Sequence, residues 1–224
     1  MTDPLTAPRS STARDTPGRQ RARKGKGELL RGQILDAAEA LLEEIGSKEA
    51  VTMRAVAERV GVSVPSIYLH FADKDVLFYE CCQRNLIELA TRLETAASGS
   101  GTVVERIRRC GEAYLRFGLG QPGQYMTLFG TDIPDTVDPE VAADDPGRRC
   151  LEVVVRLIEE GVVTGELRSD LPPIATAVAV WAAAHGAVNL LLTKRLKTDP
   201  LVDMPTEEQV ISAVVDLSID GMTS

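Results

Sequence analysis

The apolar residues of this chain recur every three to four positions, and no long stretch alternates strictly between apolar and polar. Such spacing places the apolar side chains on one face of a helix. It predicts helices over residues 29–45, 53–60, 63–71, 74–97, 103–118, 122–129, 148–163, 172–197 and 206–222. We therefore expect an all-α protein of about nine helices, with a natural division near residue 75.

Two segments lack this periodicity. Residues 1–27 are rich in Pro, Ser, Thr, Gly and Arg, and they hold too few large apolar residues to bury a core. Residues 131–147 carry three prolines and six acidic residues, a composition typical of a mobile loop. The chain is therefore expected to divide into a disordered basic arm (1–27), a small domain (28–75) and a larger domain (76–224).

The net charge of −8 by itself disfavours a polyanionic partner, but the charge is unevenly distributed along the chain. Residues 1–31 hold eight Lys and Arg against three acidic residues, a local charge of +5. The residues from Glu80 onward hold 13 basic and 22 acidic residues, a local charge of −9. A basic segment ahead of an acidic body is expected when only the front end contacts nucleic acid. A solvated tail has the same pattern, so charge alone leaves both interpretations open.

Residues 52–71, TMRAVAERVGVSVPSIYLHF, have the pattern of two short helices joined by a tight turn. Ala57 is small enough for the two helices to approach closely, and Gly61, four residues later, tolerates a positive φ. The apolar residues spaced to fill the angle between the helices are Val56, Val60, Val62 and Ile67. This arrangement predicts a helix-turn-helix, whose second helix lies in the major groove of DNA.

The second helix of this motif combines an apolar and a polar side. Ile67 and Phe71 are expected to face the core, whereas Tyr68 and His70 face outward, where a phenol and an imidazole can donate to phosphate oxygens. A capping serine and a first-turn proline are expected to start the helix. The predicted DNA contacts are Thr52, Arg54, Ser63, Val64, Pro65, Ser66, Tyr68, His70 and Lys74. Packing of the two polar aromatic residues against the small core is the alternative.

Residues 31–78 resemble the tetracycline-repressor (TetR) family of bacterial transcription regulators. The resemblance rests on RGQILDAAEALLEEIG and TMRAVAERVGVSVPSIYLHFADKDVL, above all on the A-x-x-x-G-V-S turn and the Y-x-H-F-x-x-K-x-x-L end. It implies an all-helical homodimer that binds a DNA operator with its N-terminal domain and a small molecule with its C-terminal domain, with repression usually relieved by the ligand. One departure is Val64-Pro65, because Val64 is limited to apolar contact with a base, so the operator of relatives does not transfer.

The helix predicted over residues 172–197 carries W-x-x-x-H-G, which is similar to one branch of that family. Its bulky stripe, Val178, Trp181, His185, Val188 and Leu192, is expected to face the interior. Its small stripe is expected to contact a second copy together with the last helix, and it comprises Ala179, Ala182, Gly186, Asn189 or Leu190, and Thr193. The candidate residues for a mostly apolar ligand are Tyr114, Phe117, Tyr125, Met126, Phe129, Trp181 and His185. Plain core packing is the alternative for each of these aromatic residues.

Several other classes of protein are disfavoured. The four cysteines show no CxxC spacing, which predicts buried free thiols without a metal site or a disulfide. No membrane-spanning apolar stretch of about 18 residues is expected, so we predict a cytoplasmic protein. No phosphate-binding glycine loop and no nucleophile elbow occur, so neither an enzyme nor a cofactor is expected. Two hypotheses remain: a ligand-responsive repressor, and a helical DNA-binding regulator without a small-molecule response.

Overall fold

The computed structural model describes residues 17–128, 133–134, 145–193 and 205–223, with side chains from residue 26 onward. Within these residues the chain forms nine helices and no strand, which confirms the all-α prediction. The helices are α1 (Pro17–Ile45), α2 (Met53–Val60), α3 (Val64–Tyr68), α4 (Lys74–Ser98), α5 (Val103–Gly120), α6 (Pro122–Leu128), α7 (Pro146–Thr164), α8 (Pro173–Leu192) and α9 (Glu207–Thr223).

The first helix begins at Pro17, before the predicted start at residue 29, and so includes the C-terminal part of the predicted arm. A proline is well suited to the first position of a helix because the amide hydrogen that it lacks would have no helical partner there. The following residues include Gln, Ala, Lys and several Arg, which are good helix formers. Residues 1–16 of the predicted arm lie outside the described residues.

Other helix ends also differ from the sequence-based expectation, among them those of α3, α7 and α8. The recognition helix α3 ends at Tyr68, because the amides of His70 and Phe71 both donate hydrogen bonds to the carbonyl oxygen of Ile67. Helix α7 begins at Pro146, where the Asp145 side chain accepts a hydrogen bond from Gly147 N at 2.9 Å. Helix α8 ends at Leu192 rather than near residue 197. Most of the loop predicted over 131–147 lies outside the described residues.

The buried side chains form two clusters. The N-terminal cluster joins α1, α2 and α3 to the first turns of α4, through Leu77, Phe78 and Cys81. The larger cluster packs the remainder of α4 against α5 to α9. Helix α4 is continuous across the division that the sequence placed near residue 75, so a single helix contributes to both cores.

The expectation of no membrane-length apolar stretch is wrong in the case of α8. Its 20 residues contain no Asp, Glu, Lys or Arg, and by length and composition this one helix of the described residues could cross a membrane. Alanines, rather than large aliphatic residues, make up much of this helix, so its sequence does not look like a typical membrane span. Only 22% of its most apolar window is buried within the single chain. A helix at a protein interface has the same composition, so these properties alone do not define a membrane span.

The orientation of α8 also differs from the prediction. Its fully buried positions are Ala177, Ala184, Ala187 and Val188, so the inner face consists mainly of alanines. The predicted inner stripe contributes only Val188 to the buried set, whereas Val178 and Trp181 are 41% and 42% exposed. The reason is that alanines allow α8 to approach α5 and α7 closely, and this places the bulky residues at the sides of the contact.

Candidate functional sites: a helix-turn-helix surface and an apolar cavity

The tight turn between α2 and α3 has the geometry that its sequence predicts. Thr52 caps α2 by accepting a hydrogen bond from Ala55 N at 3.1 Å. Gly61 ends the helix with φ 79°, and its amide donates to Ala57 O at 2.9 Å. Ala57 is only 2% exposed, as expected of a residue at the closest approach of two helices. A side chain at position 61 would strain the turn, because L residues rarely adopt this φ.

The recognition helix α3 has one exposed side that carries polar groups and one buried apolar side. Ile67 and Phe71 are buried as predicted, and Tyr68 is 50% exposed. Ser63 stands at the cap position, but its hydroxyl pairs with the Ser66 hydroxyl at 2.7 Å rather than with a backbone amide. The Ser66 amide donates instead to the Ser63 carbonyl oxygen at 2.9 Å, and Pro65 has no amide hydrogen, so α3 does not offer a row of free amides at its start.

The remaining predicted DNA contacts flank α3. Arg54 on α2 pairs with Glu58 at 2.9 Å and is largely exposed, whereas His70 is half-buried. Lys74, at the start of α4, donates to Glu49 O at 3.0 Å and lies over the Phe78 ring, so part of its bonding capacity is used within the protein. The N-terminal ends of α2, α3 and α4, with their capping residues, supply seven of the nine predicted contact residues, whereas Tyr68 is the last residue of α3 and His70 lies in the turn after it.

An apolar cavity of about 540 Å³ lies between α4, α5, α7 and α8. Its walls are mainly aliphatic: Leu86, Leu89, Leu93, Ile107, Leu151, Val154, Leu157 and Val180. Polar side chains come from the first turns of α4, with Tyr79 and Gln83, and from the start of α7, with Asp145 and Arg148. This volume lies within the range of pockets that enclose small-molecule ligands.

The structure assigns different places to the seven candidate ligand residues. Tyr114 and Trp181 line the cavity. Tyr125 and His185 are bonded behind that wall, and Tyr125 is completely buried. Of the other three candidates, Phe117 is packed in the core beneath the Arg92 guanidinium and Met126 is 43% exposed. Phe129 lies outside the described residues.

The sequence interpretation missed the wall formed by α4 and α7. Leu86, Leu89 and Leu93 on α4 have helical spacing, as do the leucines and valine of α7. Such spacing predicts a buried face, but it does not distinguish a face packed against core from a face that lines a void. The sequence-based candidates were chosen among aromatic residues, Met and His. Most residues that line the cavity are aliphatic instead.

Three of the four free cysteines, Cys82, Cys110 and Cys150, line this cavity. Burial raises the pKa of Cys110 to about 11 and that of Cys150 to about 12. These two groups are therefore neutral thiols near pH 7 and behave as small apolar wall residues.

A chain of hydrogen bonds runs from the cavity wall to α8. Trp181 Nε1 donates to Tyr114 Oη at 2.9 Å, and Tyr114 Oη lies 3.0 Å from Tyr125 Oη. Tyr125 Oη lies 2.6 Å from His185 Nδ1, and Asn189 Nδ2 lies over the imidazole, 3.0 Å from Nε2 and 3.5 Å from Nδ1. Burial lowers the pKa of His185 and raises the pKa values of both tyrosines, so all of these groups are uncharged near neutral pH.

Two contacts tie the helix-turn-helix domain to the elements around the cavity. The Gly123 amide of α6 donates to Glu43 Oε2 of α1 at 2.9 Å. On α4, the Arg84 guanidinium bonds the carboxylates of Asp36 and Glu39. Burial raises the pKa of Glu39, whereas Arg84 opposes that shift. Both α4 and α6 are therefore joined to α1 by polar contacts as well as by packing.

Two family models match the chain. One, described as bacterial regulatory proteins of the tetR family, matches residues 34–81. The other, described as a tetracyclin repressor-like C-terminal domain, matches residues 107–213. The first match covers the helix-turn-helix and the second covers most of the larger cluster.

Similar proteins include two mycobacterial regulators. The chain is 30% identical to the transcriptional activator FasR of Mycolicibacterium smegmatis over 138 residues, 62% of each protein, so the match spans less than two thirds of that relative. It is 28% identical to the transcriptional repressor KstR of Mycobacterium tuberculosis over 172 residues, covering 74% of this chain and 72% of KstR. Among solved structures, FadR of Bacillus subtilis in complex with stearoyl-CoA has a TM-score of 0.68 and 16% identity, covering 85% of this chain and 98% of FadR, which shows a shared fold.

Proposed function

The chain belongs to the TetR family of bacterial transcription regulators, and on that premise we propose that it is a cytoplasmic homodimeric repressor, not an enzyme. It binds a palindromic operator through α2, α3 and the start of α4. A small, largely apolar ligand in the cavity releases it. Relatives include an activator and a repressor. The sign of the regulation therefore depends on where the operator lies relative to the promoter.

The observation that carries this proposal is the path of α4. Leu77 and Phe78 are buried in the core beneath the recognition helix, and Gln83, Leu86 and Leu89 of the same helix line the cavity. A ligand that displaces the cavity wall must therefore move, bend or strain a helix whose first turns lie in the same core cluster as α3. Such a ligand shifts DNA binding only to the extent that it binds the two arrangements with different affinity.

The lining indicates the chemistry of the ligand. Aliphatic walls favour a hydrocarbon body, and the polar groups Gln83 and Arg148 suit a polar end. FadR of Bacillus subtilis, which shares the fold, was solved with stearoyl-CoA. Long-chain acyl compounds are therefore the first probes to test, and the cavity composition alone does not select among apolar ligands of similar size.

The proposed dimer uses the exposed side of α8. Ala179 and Ala182 are exposed, and the space beside Gly186 is open, so a second helix could approach its backbone closely. On α9, Leu217 is 72% exposed. A four-helix contact formed by α8 and α9 from two copies covers these apolar positions. An operator with half-sites about 34–36 Å apart requires that this contact bring two recognition helices to one side of the dimer.

The direct test separates ligand-responsive from constitutive DNA binding. An operator is selected from a random duplex library, and binding is followed by fluorescence anisotropy during titration with stearoyl-CoA, free stearate and shorter fatty acids. Leu151→Trp, which fills part of the cavity, serves as the matched variant. We expect at least one compound to weaken operator binding by the wild type by tenfold or more, and the variant to respond less. If none of the compounds changes the affinity for the operator, the result supports a DNA-binding regulator without a small-molecule response.

A further inference from the structure

Two polar side chains of α4 line the cavity without a hydrogen-bond partner. Tyr79 is only 6% exposed, and Gln83 lies four residues later on the same face of the helix. No hydrogen bond to either side chain occurs in the part of the chain that the structure describes. An enclosed polar group is favourable only when a partner supplies its hydrogen bonds. This end of the cavity is therefore suited to a polar group of a ligand.

The hydroxyl group of Tyr79 is open to the cavity. Among the described residues, Gln121 Oε1 is the one side-chain polar atom that is both covered and without a hydrogen bond. The Tyr79 oxygen has no hydrogen bond either, so it is not covered, and its residue lines the cavity. Burial raises the pKa of Tyr79, so the phenol keeps its hydrogen near pH 7. Tyr79 thus offers both a donor and an acceptor.

The charge at this end of the cavity is mainly negative. Asp145 lines the cavity, and after burial its charge is the next cause that raises the pKa values of Tyr79 and Cys150. Arg148 is the other charged residue of the lining, but its side chain is 64% exposed and its Nε lies 3.6 Å from Glu152 Oε1. The positive charge of Arg148 is therefore partly balanced and largely hydrated.

The start of α7 does not provide an anion site. A helix N-terminus attracts negative charge because its first amides lack helical partners. Asp145 already occupies this position, since its Oδ1 accepts from Gly147 N at 2.9 Å and its carbonyl oxygen accepts from Arg148 N at 3.1 Å. A carboxylate on a ligand would therefore meet a carboxylate of the protein, and like charges repel.

We infer that the effector ends in an uncharged polar group, such as a hydroxyl or an amide, which binds Tyr79 and Gln83 at the α4–α7 end of the cavity in preference to a carboxylate. The inference rests on the proposed function, because it assigns chemistry to the same cavity. A ligand without a polar group would leave both side chains unpaired. A charged ligand would lose its hydration close to Asp145. The site thus selects for polarity without charge.

The test uses three probes of equal chain length at pH 7.5, namely 1-octanol, 1-chlorooctane and octanoate. The chloro compound has no hydroxyl group, and octanoate carries a charge. Trp181 is the one tryptophan of the chain and lines the cavity, so its fluorescence reports binding to the full-length protein. Two ratios of dissociation constants are measured, chlorooctane to octanol and octanoate to octanol, because differences in cavity shape between variants largely cancel in them.

Tyr79→Phe should lower the chlorooctane-to-octanol ratio by about threefold to tenfold, the effect of one neutral hydrogen bond. Asp145→Asn retains a capping side chain and should lower the octanoate-to-octanol ratio by about threefold or more, because a like charge is removed. Glu159→Gln is the matched control, since Glu159 is an exposed carboxylate of α7 that does not line the cavity. The control should leave both ratios unchanged.

An unchanged chlorooctane-to-octanol ratio in Tyr79→Phe overturns the inference while leaving the ligand cavity in place. Tighter binding of octanoate than of octanol to the wild type does the same, as do equal octanoate-to-octanol ratios in Asp145→Asn and Glu159→Gln. The absence of a saturable fluorescence change with all three compounds would overturn the ligand cavity itself, and with it the proposed function.

Discussion

Tyr68 is the residue of α3 whose side chain combines substantial exposure with a polar end, and its neighbour Leu69 is 84% exposed. We predict that Tyr68→Phe weakens binding to operator and to scrambled duplex alike, by about threefold to tenfold, because a phosphate loses one hydrogen bond. Thermal stability should stay the same, because the ring remains. Anisotropy titrations with both duplexes test this, and a loss confined to the operator would instead assign Tyr68 to base readout.

His185 makes the stability of the larger domain depend on pH. Burial lowers its pKa in the folded protein, so below about pH 6.5 the unfolded chain takes up a proton that the folded chain resists. The contribution of His185 is therefore complete above that pH and is lost as the pH falls through the folded pKa. We predict that the stability difference between wild type and His185→Gln shrinks from pH 7.5 to pH 5. Urea unfolding measures this difference, and an equal difference in the free energy of unfolding at both pH values would contradict the prediction.

The helices differ in how much of their placement could be read from the sequence. The turn at Gly61 was predictable because its requirements are local: a small residue, a glycine and apolar residues at fixed spacing. The orientation of α8 was not, because a helix that is apolar nearly all round has no polar face to fix its rotation. The cavity was missed for a related reason, since the spacing of Leu86 and Leu89 is the same against a void as against packed core.

Helix α6 connects the cavity region to α1. A Cβ at Gly123 would lie 2.8 Å from Leu42 O and 2.9 Å from Glu43 Cα, so the two helices meet through bare backbone. We predict that Gly123→Ala destabilises the protein by about 1–3 kcal/mol and changes the ligand response of operator binding. Chemical denaturation and anisotropy titration measure the two effects.

The matched control is Gly32→Ala on α1, where no atom lies within 4 Å of the added carbon. That change should be neutral or stabilising by up to about 1 kcal/mol, because alanine is the better helix former. Equal effects of the two substitutions would show that the contact between α6 and α1 has no special role.

The N-terminal part of α1 lies near His70 at Gly27. A Cβ at Gly27 would lie 3.9 Å from His70 Cε1. Residues 1–31 carry a local charge of +5, with eight basic and three acidic residues. We predict that deletion of residues 1–26 lowers DNA affinity and makes its salt dependence shallower, because phosphate contacts are lost. The free energy of unfolding should change by less than about 1 kcal/mol. A larger loss of stability would place this segment in the folded core.

At the scale of the whole molecule, the uncovered face of α8 determines whether a DNA-binding unit can form. We predict that Ala179→Glu yields a folded monomer with greatly reduced operator affinity, because a charge at an exposed position is tolerated by the monomer but not by a buried interface. Val163→Glu, at a residue that is 86% exposed elsewhere, is the control and should remain dimeric. Sedimentation equilibrium decides, and a dimeric Ala179→Glu protein would place the interface elsewhere.

The low burial of α8 has a consequence for the amount of protein in the cell. Only 22% of its most apolar window is covered within one chain, so a separated subunit exposes a nearly uncharged helix to water. Under the proposed assembly, mass action then links the integrity of each subunit to the abundance of its partners, and the thermal midpoint rises with protein concentration. A regulator present in few copies per cell would be cleared whenever its concentration falls below the dissociation constant of the dimer. The α8 surface would thus set a lower limit on the number of molecules that persist.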